Sequence, residues 1–80
     1  MGVQERRSAD VNLEWKYRLK GADLYDADRN HGTRVGCVHE GENGDCLAMM
    51  RLENGAWKYL MSGIPFIKAK NLVEVSVRLT

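Results

Sequence analysis

Residues Val11 to Lys20 alternate without a fault. Val11, Leu13, Trp15, Tyr17 and Leu19 are apolar or aromatic, while Asn12, Glu14, Lys16, Arg18 and Lys20 are polar or charged. Successive side chains of a strand point to opposite faces, so this run predicts a strand with one dry face and one wet face. Thr33–His39 reads as a second, less regular strand, with Val35 and Cys37 on one face and Gly36 and Val38 on the other. Cys46–Leu52 and Trp57–Met61 flank Asn54-Gly55. That dipeptide between strand-like runs signals a hairpin, because a type I′ turn needs positive φ at both central residues. Leu72–Thr80 alternates again, Val73, Val75, Val77 and Leu79 against Glu74, Ser76, Arg78 and Thr80, and predicts a last strand.

The two-residue turn sets a register. Glu53 pairs with Ala56, Leu52 with Trp57, Arg51 with Lys58, Met50 with Tyr59 and Met49 with Leu60. Leu52, Met50, Ala48 and Cys46 then share a core face with Trp57, Tyr59 and Met61. The outer face carries Arg51 and Lys58 near the tip and Leu47, Met49 and Leu60 below them. A fully solvated outer face has no need of those three apolar residues.

The segments between are of other kinds. Met1–Asp10 is a polar arm whose charges nearly cancel, ahead of a single domain over residues 11–80. Gly21–Gly32 is a long loop rich in Gly, Asp and Asn, its middle pinned to the core by Leu24 and Tyr25. Glu40–Asp45 is a turn, and Gly63–Asn71 a connector in which Pro65 starts one helical turn before the last strand. Five short strands with no long helix must bend to cover their own apolar face. The fold class is therefore all-β, a five-stranded small barrel or sandwich.

The order of connections and some short motifs resemble the SH3-like barrel. Ala22-Asp23-Leu24-Tyr25-Asp26 is similar to the Ala-Leu-Tyr-Asp-Tyr opening of SH3 domains, and Gly44-Asp45 stands where they carry Gly-Asp before a Trp pair. Gly63-Ile64-Pro65 with Asn71-Leu72-Val73 is similar to their Gly-x-Ile-Pro-x-Asn-Tyr-Val ending. The resemblance implies the barrel topology. It does not imply proline-motif binding, because Cys46 or Leu47 replaces the groove Trp and Leu72 replaces the groove Tyr.

Composition narrows the function less than the pattern narrows the fold. A chain of 80 residues buries only about 60 to 65% of its unfolded surface, so its core is thin. The net charge of +1 favours neither nucleic acid nor acidic ligands at the level of the whole chain. No apolar run approaches the roughly 18 to 20 residues of a membrane helix, and residues 1–10 lack the apolar core of a secretory signal. Two cysteines do not make a disulfide scaffold, so a reducing cytoplasmic setting is expected.

Chemical sites are sparse. Asp26-x-Asp28-x-Asn30 has the start of a calcium loop, but His31 stands where the loop needs Gly and Cys37 where it needs Glu. His31, Cys37, His39 and Cys46 lack the paired spacing of structural zinc. No nucleophile comes with a base at a recognisable spacing, and no glycine cluster opens a helix after a strand. No enzyme, metal or cofactor is expected.

Two surfaces remain. The first is the apolar outer patch Leu47, Met49 and Leu60, rimmed by Arg51 and Lys58, which points to a protein partner or to self-association. The second is a basic stripe of Lys16, Arg18, Lys20, Arg51 and Lys58, suited to phosphates. Single-strand binding also wants exposed aromatics, and the register above places Trp15, Tyr17, Trp57 and Tyr59 inside.

Overall fold

A computed structural model describes residues 12–28 and 32–79. The arm expected over Met1–Asp10, and Asn30 and His31, lie outside the described residues. Five antiparallel strands run in sequence order across one sheet: β1 (Leu13–Arg18), β2 (Gly21–Asp26), β3 (Thr33–Glu40), β4 (Cys46–Arg51) and β5 (Trp57–Ile64). One helix follows, α1 (Phe66–Leu79). The small, mainly β fold and its total of five strands are as expected, and four of the five lie where the alternation places them. Two elements differ from the expectation.

Gly21–Asp26 is a strand, not part of a long loop. Ala22 and Leu24 are fully buried, and the segment pairs with β1 on one side and β3 on the other. Its Asp and Gly content masks a short alternation, with Ala22, Leu24 and Asp26 inward and Asp23 and Tyr25 outward. Leu72–Thr80 is not a strand, because Leu72–Leu79 forms the second half of a fourteen-residue helix. Pro65 caps that helix, its carbonyl accepting the first helical bond from Ala69 N at 2.9 Å. Ala69 and Val73 are fully buried, and Phe66, Leu72 and Val77 pack beside them, a set with helical spacing.

The helix, rather than closure of the sheet, covers the apolar face. It lies on β3, β4 and β5, and side chains of β1 also reach it. Close approach depends on small residues. Gly36 and Ala48 on the sheet meet Val73 and Ala69 on the helix in one cluster that also holds Leu24, Val35, Val38 and Cys46.

At the far edge, Trp15 Nε1 donates to Glu74 Oε1 at 3.1 Å, and Arg78 donates to Glu74 Oε2 through Nε at 3.3 Å and a terminal nitrogen at 3.1 Å. These bonds, first the one from Trp15, hold the Glu74 carboxyl below its ordinary range against some desolvation. A lowered folded value adds stability above the unfolded pKa that is lost as pH falls through the folded one. Glu74→Gln is expected to cost under about 1 kcal/mol at neutral pH, as for a partly exposed pair screened by solvent, and to flatten the acid limb of the melting profile below the ordinary value of 4.5. Melting curves of both proteins between acid and neutral pH check this, and parallel acid limbs would rule it out.

The hairpin joining β4 and β5 has one residue more in its loop than expected. Leu52 N donates to Ala56 O at 2.7 Å, Gly55 N donates to Leu52 O at 2.9 Å, and Asn54 Oδ1 accepts from Ala56 N at 2.9 Å. Gly55 sits at φ 92°, the left-handed residue that ends a three-residue loop. Arg51 therefore pairs with Trp57, Met50 with Lys58 and Met49 with Tyr59. A one-residue slip exchanges the faces of the second strand, so Trp57 and Tyr59 leave the core side. The register shifts again between Ala48 and Met49, and Leu60, at that bulge, packs on the core.

Candidate functional site

The sheet face opposite α1 is the candidate site. Among the described residues no element lies over it. Its central row crosses all five strands in register, as Lys16, Asp23, Cys37, Met49 and Tyr59. A neighbouring row holds Arg18, Gly21, His39, Leu47 and Ser62. On the other side lie Glu14, Tyr25 and Arg34, with Arg51 opposite Trp57.

The middle of this face is apolar. Cys37, Leu47 and Met49 are half-buried by their neighbours alone, and Tyr59 is 59% exposed with its hydroxyl 2.9 Å from Ser62 Oγ. Burial pushes the Cys37 thiol up, with Arg34 pulling against it, so it is a neutral thiol rather than a reactive thiolate.

Asp23, Arg18, Arg34 and Lys16 are already engaged with their surroundings. Asp23 accepts from Arg18 Nε at 3.2 Å and from Arg34 at 3.4 Å. Arg18 also donates to the Val38 carbonyl at 3.4 Å, lying across Gly21, which has no side chain to block it. Arg34 stacks over the Trp57 ring at 4.9 Å, and Lys16 over the Tyr25 ring at 4.9 Å. Such pairs hold long cations flat against the sheet.

Of the expected protein-binding set, Leu47, Met49 and Arg51 share this face. Leu60 does not, because the bulge turns it onto the core. Lys58 does not either, because the one-residue slip moves it to the helix-side row with Met50. Of the basic set, Lys16, Arg18 and Arg51 lie here and Lys20 lies in the turn after β1, while Lys58 is again on the other side. Sequence reasoning missed Tyr25, Arg34, Trp57 and Tyr59 as members. The last two follow from the true loop length of the hairpin, and the first two from the hidden alternation of β2 and β3.

The other chemical groups do not converge. Cys37 and His39 share the open face, but Cys46 is 1% exposed in the core behind the sheet. Among the described residues no three His, Cys, Asp or Glu side chains come together to hold a metal. Asp26 Oδ1 accepts from Asp28 N at 3.1 Å, the local bond of a turn. No described helix is long and apolar enough to cross a membrane.

Comparison with protein-family models, curated proteins and solved structures gives no match. The short motifs that resemble SH3-like barrels in sequence fall within β2 (Ala22–Asp26) and at the entry to α1 (Gly63–Pro65), and no match to a known structure supports that resemblance.

Proposed function

We propose that this chain is a non-enzymatic protein-interaction module of a reducing, cytoplasmic setting, and that it binds through the uncovered sheet face. The observation that carries the proposal is the apolar centre of Leu47, Met49 and Cys37 beside Tyr59 and Trp57, with nothing of the described chain over it. Interface cores are enriched in Tyr, Trp, Met and Arg and ringed by polar groups. Here Glu14, Lys16, Arg18, His39 and Arg51 form that ring.

Met49→Glu tests it. The residue is half-buried on an open face, so the change is expected to cost no more than about 1 kcal/mol of stability. A buried charge at the centre of an interface is expected to weaken retention of protein partners on the immobilised chain by at least about tenfold. Ile67→Glu, on the exposed side of α1, serves as the matched control and is expected to change nothing. Equal retention by parent and Met49→Glu would sink the proposal.

One observation favours a second reading, single-stranded nucleic acid. The slip that exposes Trp57 and Tyr59 sets them, with Tyr25, among Lys16, Arg18, Arg34 and Arg51, and bases stack on such platforms. Against it, Asp23 pairs with two of those cations and offsets one of their two charges, and Arg34 and Lys16 already cover two of the rings. A labelled single-stranded oligonucleotide decides this case. Binding that falls steeply with salt and quenches Trp57 supports nucleic acid, and no binding at low salt removes it.

A further inference from the structure

The sheet has two outer edges, and they are built differently. β5 is interrupted twice, because Leu60 and Gly63 are extra residues with no opposite number on β4. Bulges of this kind twist an edge and hinder another strand from pairing with it. β1 carries no such device. Its six residues pair with β2 in one unbroken register, and among the described residues nothing lies along its other side. Ala27 N donates to Asn12 O at 3.0 Å. Hydrogen-bonded pairs alternate along an antiparallel ladder, so Asn12, Glu14, Lys16 and Arg18 turn their main-chain groups towards β2. Leu13, Trp15 and Tyr17 turn theirs outward, leaving a regular row of N–H donors and carbonyl acceptors.

The strand also matches itself. A two-fold axis perpendicular to the sheet, beside Trp15, sets Trp15 opposite Trp15 and Leu13 opposite Tyr17 of a second copy. Glu14 then falls opposite Lys16, and Asn12 opposite Arg18. The outward main-chain groups of Leu13, Trp15 and Tyr17 meet those of the same residues in reverse order, which allows about six hydrogen bonds. Glu14 and Lys16 are both exposed, and Glu14 has no ion pair among the described residues. Sliding the copies by two residues one way sets Lys16 directly against Lys16. Sliding them the other way sets Glu14 against Glu14. Like charges directly opposite are destabilising, so charge selects the middle register.

We propose that the outer edge of β1 is the seat of a second copy of this chain, the two β1 strands pairing antiparallel to continue one sheet through both molecules. A two-fold contact uses the same patch on both subunits, which this register provides. Both helices then lie on one side of the joined sheet and both open faces on the other. The edge is separate from the centre of the open face, so the pairing is independent of what that face binds. Trp15 is tied to Glu74 at 3.1 Å, and Lys70 Nζ lies 5.3 Å from the Trp15 ring centre and 4.7 Å from that of Tyr17. An edge held from the helix side in this way loses little freedom when a partner docks. A contact one strand long falls below the roughly 1,200 Å² of a standard interface, so the dimer is weak.

Sedimentation equilibrium of the full chain, from micromolar to millimolar concentration, is the test. The expected result is a monomer–dimer equilibrium. Glu14→Lys and Lys16→Glu are each expected to raise the dissociation constant at least about fivefold, since each sets like charges opposite one another twice across the axis. Mixed in equal amounts, the two variants are expected to pair with each other more tightly than either pairs with itself, because two lysines then face two glutamates. Tyr17→Pro removes an outward N–H that the ladder with β2 does not use, and is expected to weaken the dimer at least about tenfold. Tyr17→Val keeps that N–H and is expected to keep the dimer. Far-UV circular dichroism reads whether each variant is folded, and if Tyr17→Pro unfolds, the mixture of the two charge variants decides. A monomer at every concentration overturns the proposal. So does a dimer indifferent to both charge changes, or a mixture that pairs no better than its components. A dimer dispersed by Met49→Glu but not by Glu14→Lys also overturns it, by placing the contact on the open face.

Discussion

Gly21→Ala is expected to remove about 3 to 5 kcal/mol of folding stability, combining close overpacking with a strained backbone position. A methyl at this position would stand 2.1 Å from the Val38 carbonyl oxygen and 3.1 Å from its carbon. These are backbone atoms of the paired strand, so no side chain can swing aside to make room. Gly21 sits at φ 148°, which side-chain-bearing residues rarely adopt. The same methyl would press on the Arg18 guanidinium, 3.3 Å away, and unseat it from Val38 and Asp23. The start of β2 must then part from β3 in the middle of the sheet. A domain of this size holds roughly 4 to 12 kcal/mol in total, so the variant is expected to be largely or partly unfolded at room temperature. Urea denaturation followed by circular dichroism measures it. A variant that melts within about 5 °C of the parent would show that β2 does not run as close to β3 as described.

The next largest effect belongs to the seat of the helix. Gly36→Ala places a methyl 2.3 Å from Val73 Cγ1, and Val73 is fully buried with no space to turn. The helix must lift off β3 or Val73 must leave its rotamer, either of which costs about 2 to 3 kcal/mol. Val73→Ala alone leaves a cavity under the helix and is expected to cost a similar amount, about 2 to 3 kcal/mol. The pair together restores the fit, since the new methyl of one fills the space vacated by the other. Gly36→Ala with Val73→Ala is therefore expected to be more stable than the sum of the single losses by about 1 to 2 kcal/mol. A four-member denaturation cycle gives the number, and strict additivity would mean that these two positions do not touch.

That contact also explains why the last element was illegible as a helix. Val73, Val75, Val77 and Leu79 alternate perfectly, and β-branched residues favour strands. Yet Val73 and Val77, four apart, also lie on one side of a helix, with Phe66 and Ala69 ahead of them. Local pattern leaves the two open. The choice is made at a distance, by Gly36 and Ala48, whose lack of bulk lets a helix bury Ala69 and Val73 completely. Val75 at 53% and Leu79 at 80% exposure are the residues that the helix leaves outside.

β1 was legible because its alternation is long and its wet positions are charged. β2 was not, because an aspartate-rich strand that opens on a glycine carries the local marks of a loop, and only its place between β1 and β3 makes it a strand. The candidate site was half legible. Leu47 and Met49 stand out in the sequence as apolar residues that a solvated face does not need, and they lie on the open face together. Leu60 stands out for the same reason but has an ordinary one, since it is core. No count of hydrophobic residues separates these cases. The bulge between Ala48 and Met49 does so, and a bulge leaves no mark in composition.

The loop from Leu52 to Ala56 has a wider consequence for how such a protein changes over generations. Loop length and chain length are separate variables here. Closed on Leu52 and Ala56, with three residues between, the chain displays tryptophan and tyrosine; the same sequence closed on Glu53 and Ala56 would hide them and display lysine and leucine instead. Deleting one loop residue while Leu52 still faces Ala56 would change nothing along β5. The surface chemistry of this fold is thus free to move by exchange of an entire strand's display, from aromatic to basic and aliphatic and back, through substitutions that alter only where the turn closes and leave every contact between β1, β2 and β3 untouched.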